Sequence, residues 1–567
     1  MRIRRRIGVV AVTCIVVMSG GTGANLPAHA AAKQALPVID VDYLYRQLWF
    51  MSMHYLQRVS GFDGDPRQPL AVTNLPPYVN GWQEFYTHWK GEVRSLDSMG
   101  PMAPYVTIAD HYFRVLSFPF DSDVAEATIP GAGCPGQRVL LAGHPDSTPG
   151  LNTQNGSAYD DTSGVTMGMA EFQALLRWYQ ANGTWPRRTI KIGLFDAEET
   201  GLNGSYYYAA NLIPRGPQGQ YVLVANMDQN GMEYPAYHLG TTHYTSDLVN
   251  GVGPWYTNIN SSPLKENSIY SGKSWKNIQA NMAAIEHFRQ ALADSVAEAF
   301  HVLGQKYGFT VPLENPIEGG RQVSAYTESD RERYSPVQDD TIGRTDQVPF
   351  LQLGIPGYGV LGAYDSNAKE NPYPEQLPVK PTIPQYAGYD TPRDTIQHLN
   401  LMTSGLPAGP FTGDLTYPDA GTQELRRAVE LPATWTDYLV SRQEYGGAVK
   451  RPSGPVAYFE TDPVLPKGMT VTFDASFSVD PSSSGGLTYA WTFGDGTHAT
   501  GIRVTHTYKH SIFADVRLVV KDRAGHVGTY RQAVAVGKDA GKAPATDPCG
   551  LLSSSETRAV QSANGVR

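Results

Sequence analysis

The sequence predicts an α/β domain, a mixed central sheet flanked by helices, followed by a small all-β sandwich. Three observations carry this reading. Short, continuous apolar runs bounded by turns recur through the first two thirds of the chain, as in strands buried on both faces. A segment of helical period lies between the first two of these runs. After residue 455 the pattern changes to closely spaced β-rich runs separated by turn clusters.

The apolar runs are Arg138–Ala142, Thr189–Phe195, Tyr221–Ala225, Phe350–Leu353 and Tyr358–Leu361. Val165–Tyr179 has apolar residues at helical spacing and joins the first two runs in strand–helix–strand order. A second helix is predicted over Trp275–Tyr307, where Ile278, Met282, Ile285, Phe288, Leu292, Val296, Phe300 and Leu303 recur every three or four residues. Upstream, Asp40–Val59 and Trp82–Ser95 read as helices. Residues 446–455 (GGAVKRPSGP) read as a linker. The sandwich runs are Val456–Glu460, Thr470–Phe473, Leu487–Phe493, Val504–Tyr508, Val516–Lys521 and Thr529–Val536. The implied organisation is a leader at 1–30, a first domain at 31–445, a linker, a self-contained sandwich at 456–537 and a disordered tail at 538–567.

The leader has Arg2, Arg4, Arg5 and Arg6, then an apolar run Gly8–Met18, then Ala28-His29-Ala30. That is the layout of a cleaved secretory signal, and the apolar run is too short to span a bilayer. The expectation is export, with no membrane attachment after cleavage. The 567-residue chain has a formal net charge of −9, and loss of the four leader arginines makes it more acidic still. Such a chain is not expected to bind nucleic acid. Cys14 leaves with the leader, so Cys134 and Cys549 remain as a pair that an oxidising compartment permits to bond.

Acidic residues and one histidine gather just beyond the apolar runs. His144 and Asp146 follow the first run, Asp160 and Asp161 precede the helix, Glu198 and Glu199 follow the second run, and Asp228 follows the third. Taken singly, each is an ordinary surface acid or helix cap. Their joint placement at successive strand ends, where open α/β sheets bind ligands, points to one metal-binding rim. Other chemistries find no support: Gly272-Lys273-Ser274 lacks the upstream glycine of a phosphate loop, and there is no HExxH or GxSxG.

The blocks GHPDS, YDDTSG, AEETGLNGS and NMD, in this order, resemble the zinc aminopeptidase family that includes bacterial leucyl aminopeptidases and glutamate carboxypeptidase. GRTDQVPF at 343–350 and GYDTPRDT at 388–395 resemble its later blocks. The resemblance implies a zinc-exopeptidase-like fold and two divalent metal ions, zinc foremost, acting on peptide or protein substrates. It implies that His144 and Asp228 hold one metal, Glu199 the other, and Asp160 both. Glu198 would be the general base, and Asp146 would orient His144. Where the family block reads Tyr-His-Thr-Pro, this chain has Tyr389-Asp390-Thr391-Pro392, so the fifth ligand falls on Asp390, with His398 as the alternative. A carboxylate in place of imidazole hardens that second site and favours exchange for manganese. Asp161 stands where the family often carries Asn. In the C-terminal unit, WTFGDG at 491–496 and His506-Thr507-Tyr508 resemble polycystic-kidney-disease-type (PKD) domains, implying an immunoglobulin-like sandwich that binds substrate or a surface polymer. Two other functions fit the same fold: a one-zinc glutaminyl-cyclase-like acyltransferase and a non-catalytic binding protein.

Overall fold

The computed structural model describes residues 35–62, 64, 81–115, 118, 120–148, 156–213, 221–231, 257–261, 263, 268–307, 317–321, 337–340, 345–362, 394–404, 421–461 and 468–537. The leader, Asp390, Cys549 and the tail 538–567 lie outside the described residues.

The helices are α1 (Val41–His54), α2 (Trp82–Glu92), α3 (Leu96–Met99), α4 (Ser163–Ala181), α5 (Asn203–Asn211), α6 (Lys273–Ala280), α7 (Met282–Tyr307), α8 (Val348–Gln352), α9 (Ile396–Ser404) and α10 (Gln423–Ser441). The central sheet joins β1 (Thr107–Arg114), β2 (Asp121–Ile129), β3 (Cys134–Gly143), β5 (Arg188–Phe195), β6 (Tyr221–Met227), β7 (Thr257–Asn260), β8 (Ile317–Arg321), β9 (Val337–Asp340) and β10 (Gly357–Gly362). Their spatial order is β1-β2-β5-β3-β6-β10-β7-β9-β8. The middle strands β5, β3, β6 and β10 run parallel, while β2 against β5 and β7 against β10 are antiparallel. The sheet is therefore mixed, as its sequence predicts.

Topology places the site. From β3 the chain crosses through α4 to β5 on one side, then through α5 back over β3 to β6 on the other. The carboxyl end of β3 is thus the point where the winding reverses, and a crevice opens there. On one face, α1, α4 and α10 bury Trp49, Phe172, Leu175, Ile190, Ile192 and Leu439. On the other, Tyr208 of α5 and Phe350 of α8 pack on Leu140, Phe195 and Val224.

Two elements differ from their sequence reading. Phe350–Leu353 is not a strand: Val348–Gln352 makes a short helix with Pro349 in its first turn, stopped at Gly354, whose φ is +77°. A buried apolar run of this length does not distinguish helix from strand, and Pro349 is the local signal that does. The long helix over 275–307 is two helices, broken at Asn281, whose side chain donates to Gly354 O at 2.7 Å.

The sandwich has sheets β12 (Glu460–Thr461), β13 (Thr470–Asp474), β16 (Arg503–Thr507) and β15 (His498–Thr500), β14 (Thr488–Thr492), β17 (Ile512–Lys521), β18 (Val527–Val536). Trp491 and Phe493 lie on one face with ring planes 8° apart, buried against Phe459 and Phe473. Gly494 and Gly496 take positive φ in the following turn, and Asp495 Oδ1 accepts from Thr497 N at 3.0 Å. The connection before the sandwich is fastened and is not a free linker. Ala448–Lys450 forms β11, which pairs antiparallel with β4 (Thr184–Pro186), and Arg451 donates to Gln180 and Tyr105. Both parts fall within one unit, Leu36–Arg567. Among the described residues no helix is long and apolar enough to cross a membrane.

Between α4 and α10, Glu171 and Asp437 are fully buried, and none of their carboxyl oxygens makes a hydrogen bond. Desolvation pushes both well above the ordinary carboxyl range, and the Glu171 charge raises Asp437 further. The folded state therefore holds protons that the unfolded chain releases near pH 4. This contribution is complete below that pH and declines as pH rises towards the folded values, by about 1.4 kcal/mol per pH unit for each carboxyl. Glu171→Gln with Asp437→Asn is expected to flatten the loss of stability between pH 5 and pH 8, read from denaturant midpoints; parallel pH profiles for the variant and the parent would refute ionisation control at this contact.

Candidate metal centre

His144 directly follows β3, and Asp228 directly follows β6, where its N–H donates to Val360 O of β10 at 3.0 Å. Asp160 lies in the turn 158–162 that enters α4. These three side chains are buried, and one ligand atom from each lies within 4.8 Å of the others. His144 Nε2 is 3.0 Å from Asp160 Oδ1 and 3.6 Å from Asp228 Oδ1. Its Nδ1 faces the Asp146 main-chain carbonyl at 3.2 Å and the Asp146 carboxylate at 3.4 Å. A proton on Nδ1 satisfies those acceptors and leaves the Nε2 lone pair aimed at two carboxylates.

Such a donor set requires positive charge. Burial alone would lower the His144 imidazole, but Asp146, Asp160 and Asp228 hold it well above its ordinary value. Asp228 Oδ1 is buried and makes no hydrogen bond. One imidazole nitrogen and two carboxylate oxygens, with an acceptor left open, fit a divalent ion such as zinc.

Glu198 and Glu199 stand on the loop after β5. Their N–H groups donate to Asp146 Oδ1 and Oδ2, both at 3.2 Å. Asp146 also accepts from Ser60 Oγ at 2.7 Å, so one carboxylate fixes both the imidazole and this loop. Glu198 keeps partial solvent contact. Desolvation is the main cause that raises its carboxyl well above the ordinary range, with Asp228, Asp346 and Asp160 adding to it and His144 opposing. The Glu199 carboxylate is not in the converging trio, and neither is His398, which lies in α9 and donates its N–H to Thr395 Oγ1. The Asp390 expectation rests on a residue outside the described ones.

Asp161 finds an explanation that its sequence did not offer. Its Oδ2 accepts from His144 N at 3.1 Å and its Oδ1 from Gly164 N at 2.7 Å, tying the end of β3 to the first turn of α4. Gly164 is required there because a Cβ would collide with Met227 O. The loops around the site are backbone-strained: Ser157, Ala197, Leu202, Gln229 and Thr345 all have φ between +42° and +63°.

Two supporting residues escaped the sequence reading. Arg58 is fully buried beneath the site, donating to Pro145 O, to Gly156 O at 3.0 Å and to Thr162 Oγ1 at 2.9 Å. Burial lowers its guanidinium to about 10, against Asp394, Asp161, Asp146 and Asp160, so it stays charged at neutral pH. Asp394 accepts from Tyr159 N at 2.8 Å and from Asp160 N at 3.0 Å, holding the ligand-bearing turn. The only local hint for Asp394 is its place before α9 in GYDTPRDT; Arg58 offers none.

Asp394→Asn removes one of those two acceptors, and is expected to weaken divalent-metal affinity by about 10- to 100-fold, the scale for groups that orient ligands. Chelator competition on the folded variant measures this; unchanged affinity would show that the turn keeps its shape without Asp394.

Residues 126–271 match the sequence profile of Peptidase family M28, and residues 452–537 match that of the PKD domain. Among solved structures, a zinc aminopeptidase from Bacillus subtilis is 16% identical, over 56% of this chain and 50% of that one, with a TM-score of 0.29. This chain thus spans half the length of that enzyme. The LapA aminopeptidase of Legionella pneumophila is 14% identical, over 71% of this chain and 73% of that one, with a TM-score of 0.37. The PKD1 domain of the Vibrio cholerae metalloprotease PrtV is 32% identical, over 15% of this chain and 98% of that domain, with a TM-score of 0.13. Residues 126–271 are thus similar to Peptidase family M28, and residues 452–537 to the PKD domain.

Proposed function

We propose that this chain is an exported, metal-dependent peptidase, most consistent with an aminopeptidase, that hydrolyses peptide bonds at the carboxyl end of β3. The convergence of His144, Asp160 and Asp228 on one point carries the reading. In the proposed assignment these three hold one divalent ion, while Asp160, Glu199 and Asp390 hold a second, more labile one. Bound there, such ions would supply a lowered water pKa and a polarised scissile carbonyl.

The chain's own groups do the rest. Glu198, on the loop that Asp146 holds beside the trio, takes the proton of the attacking water and passes it to the leaving amine. Asp146 keeps the His144 ring in the tautomer that presents Nε2 and fixes the loop that carries Glu198. Arg58 offsets the surrounding carboxylates from below. The M28 match supports hydrolysis over the cyclase and binding readings, and the signal-like leader supports export. The PKD domain is assigned no chemistry; binding of substrate or a surface polymer by its exposed strands is part of the same proposal.

Glu198→Gln is expected to retain metal and lose at least about 100-fold in kcat on aminoacyl substrates, the scale of a general base. Metal content and steady-state rates of the variant decide it, and wild-type turnover would remove Glu198 from the mechanism.

A further inference from the structure

On the α5 face of the central sheet, among the described residues, the covering helix α5 is much shorter than the strands. α5 has nine residues and is about 13 Å long, whereas the ten residues of β3 span about 33 Å. By strand register, Glu126 of β2, Lys191 of β5, and Arg138 and Leu140 of β3 share this face. Three of those four are charged, and Glu126, Lys191 and Arg138 are each only 1% exposed. An α/β sheet normally buries apolar side chains at such positions.

The sandwich supplies the missing cover. Glu460 of β12 pairs with Lys191 Nζ at 2.7 Å and lies 3.9 Å from Arg138 Nε. Arg138 Nε donates to Tyr458 OH at 2.9 Å, and the guanidinium lies over the Tyr221 and Tyr458 rings at 5.8 and 5.6 Å. Tyr458 OH in turn donates to Glu460 at 2.8 Å. On the sheet side, Lys191 Nζ is 2.7 Å from Glu126 Oε1, and Tyr208 OH of α5 donates to Glu126 Oε2 at 2.5 Å. The cluster has two permanent cations, Arg138 and Lys191, and two carboxylates, Glu126 and Glu460. Removing Glu460 leaves one buried positive charge without a counter-charge, which is far more costly than an exposed one.

This cluster binds the two elements that flank one loop. Lys191 is on β5, which leads into Glu198 and Glu199. Tyr208 is on α5, which follows them. The loop is laced to the start of α5, with Asn203 N donating to Ala197 O at 3.0 Å and Leu202 N to Glu198 O at 2.8 Å. Glu126 binds Lys191 and Tyr208 together, and Glu460 neutralises the cations that hold it there. We propose that the PKD sandwich is a positioning element of the metal centre: through Glu460 it closes a four-charge clamp on the loop carrying Glu198 and Glu199. The proposal rests on reading that loop as catalytic. It replaces the sequence-based expectation of a self-contained sandwich with one in which a chain ended near Gly447 loses part of its site scaffold.

The test is hydrogen–deuterium exchange on the full chain carrying Glu460→Gln, which keeps the size and the hydrogen-bonding amide oxygen but removes the charge. Amides of residues 197–204 are expected to exchange at least about tenfold faster, with Val516–Val520 in the sandwich core unchanged. Adding Arg138→Met removes the surplus cation and is expected to restore much of the protection. On aminoacyl substrates, kcat should fall with KM unchanged, and recover in the double variant. An unaltered loop in Glu460→Gln, or a uniform rise in exchange that Arg138→Met does not reverse, would overturn the clamp. Exchange is measured without substrate, so a responding loop in a protein with no peptidase activity would refute the catalytic reading and leave the clamp standing.

Discussion

His144 Nε2 and carboxylate oxygens of Asp160 and Asp228 converge in one buried place, and two carboxylates buried face to face call for positive charge between them. Much of the first domain around this site answers to that constraint. The Asp146 carbonyl and carboxylate both face Nδ1, so that Nε2 is turned towards the other two carboxylates. Asp161 and Asp394 hold the backbone from which the ligands project, each through two main-chain N–H groups. Arg58 supplies permanent positive charge beneath them but is occupied by its own acceptors, so the space between the ligands stays open to an ion.

The second buried charge cluster solves a different problem by the same physics. Arg138, Lys191, Glu126 and Glu460 balance within the protein and call for no external ion. Burial alone would raise Glu126, yet Lys191 and His111 hold it well below the carboxyl range. One cluster is left short of cations and fits a divalent ion; the other is complete and joins two parts of the chain. The loop of Glu198 and Glu199 lies between them, tied to Asp146 on one side and to α5 on the other.

Much of this was legible in the sequence because the signals were local. The apolar runs became β3, β5 and β6, the period-3.6 segment became α4, and His144, Asp160 and Asp228 came together beyond them. Illegible parts were of two kinds. Phe350–Leu353 was ambiguous by length alone, and only Pro349 pointed to a helix. Strand β2 carries Asp123 and Glu126 in a fully buried stretch, which by pattern reads as solvent-facing, and Lys191 and Arg138 mislead in the same way. Their burial is explained only by partners far along the chain, such as Glu460. Arg58 and Asp394 act over 98 and 234 residues of separation, with no motif to announce them.

We propose that the His144–Asp160–Asp228 centre holds a divalent metal on which peptide hydrolysis depends. The direct measurement is aminoacyl-substrate turnover of chelator-stripped protein as zinc is returned, with bound metal counted at each point, beside the same titration of Asp228→Asn. The account predicts that activity returns in step with bound zinc in the parent chain, and that the variant binds at least one ion fewer and stays inactive. Full turnover by the stripped protein, or zinc binding undiminished in Asp228→Asn, would contradict it.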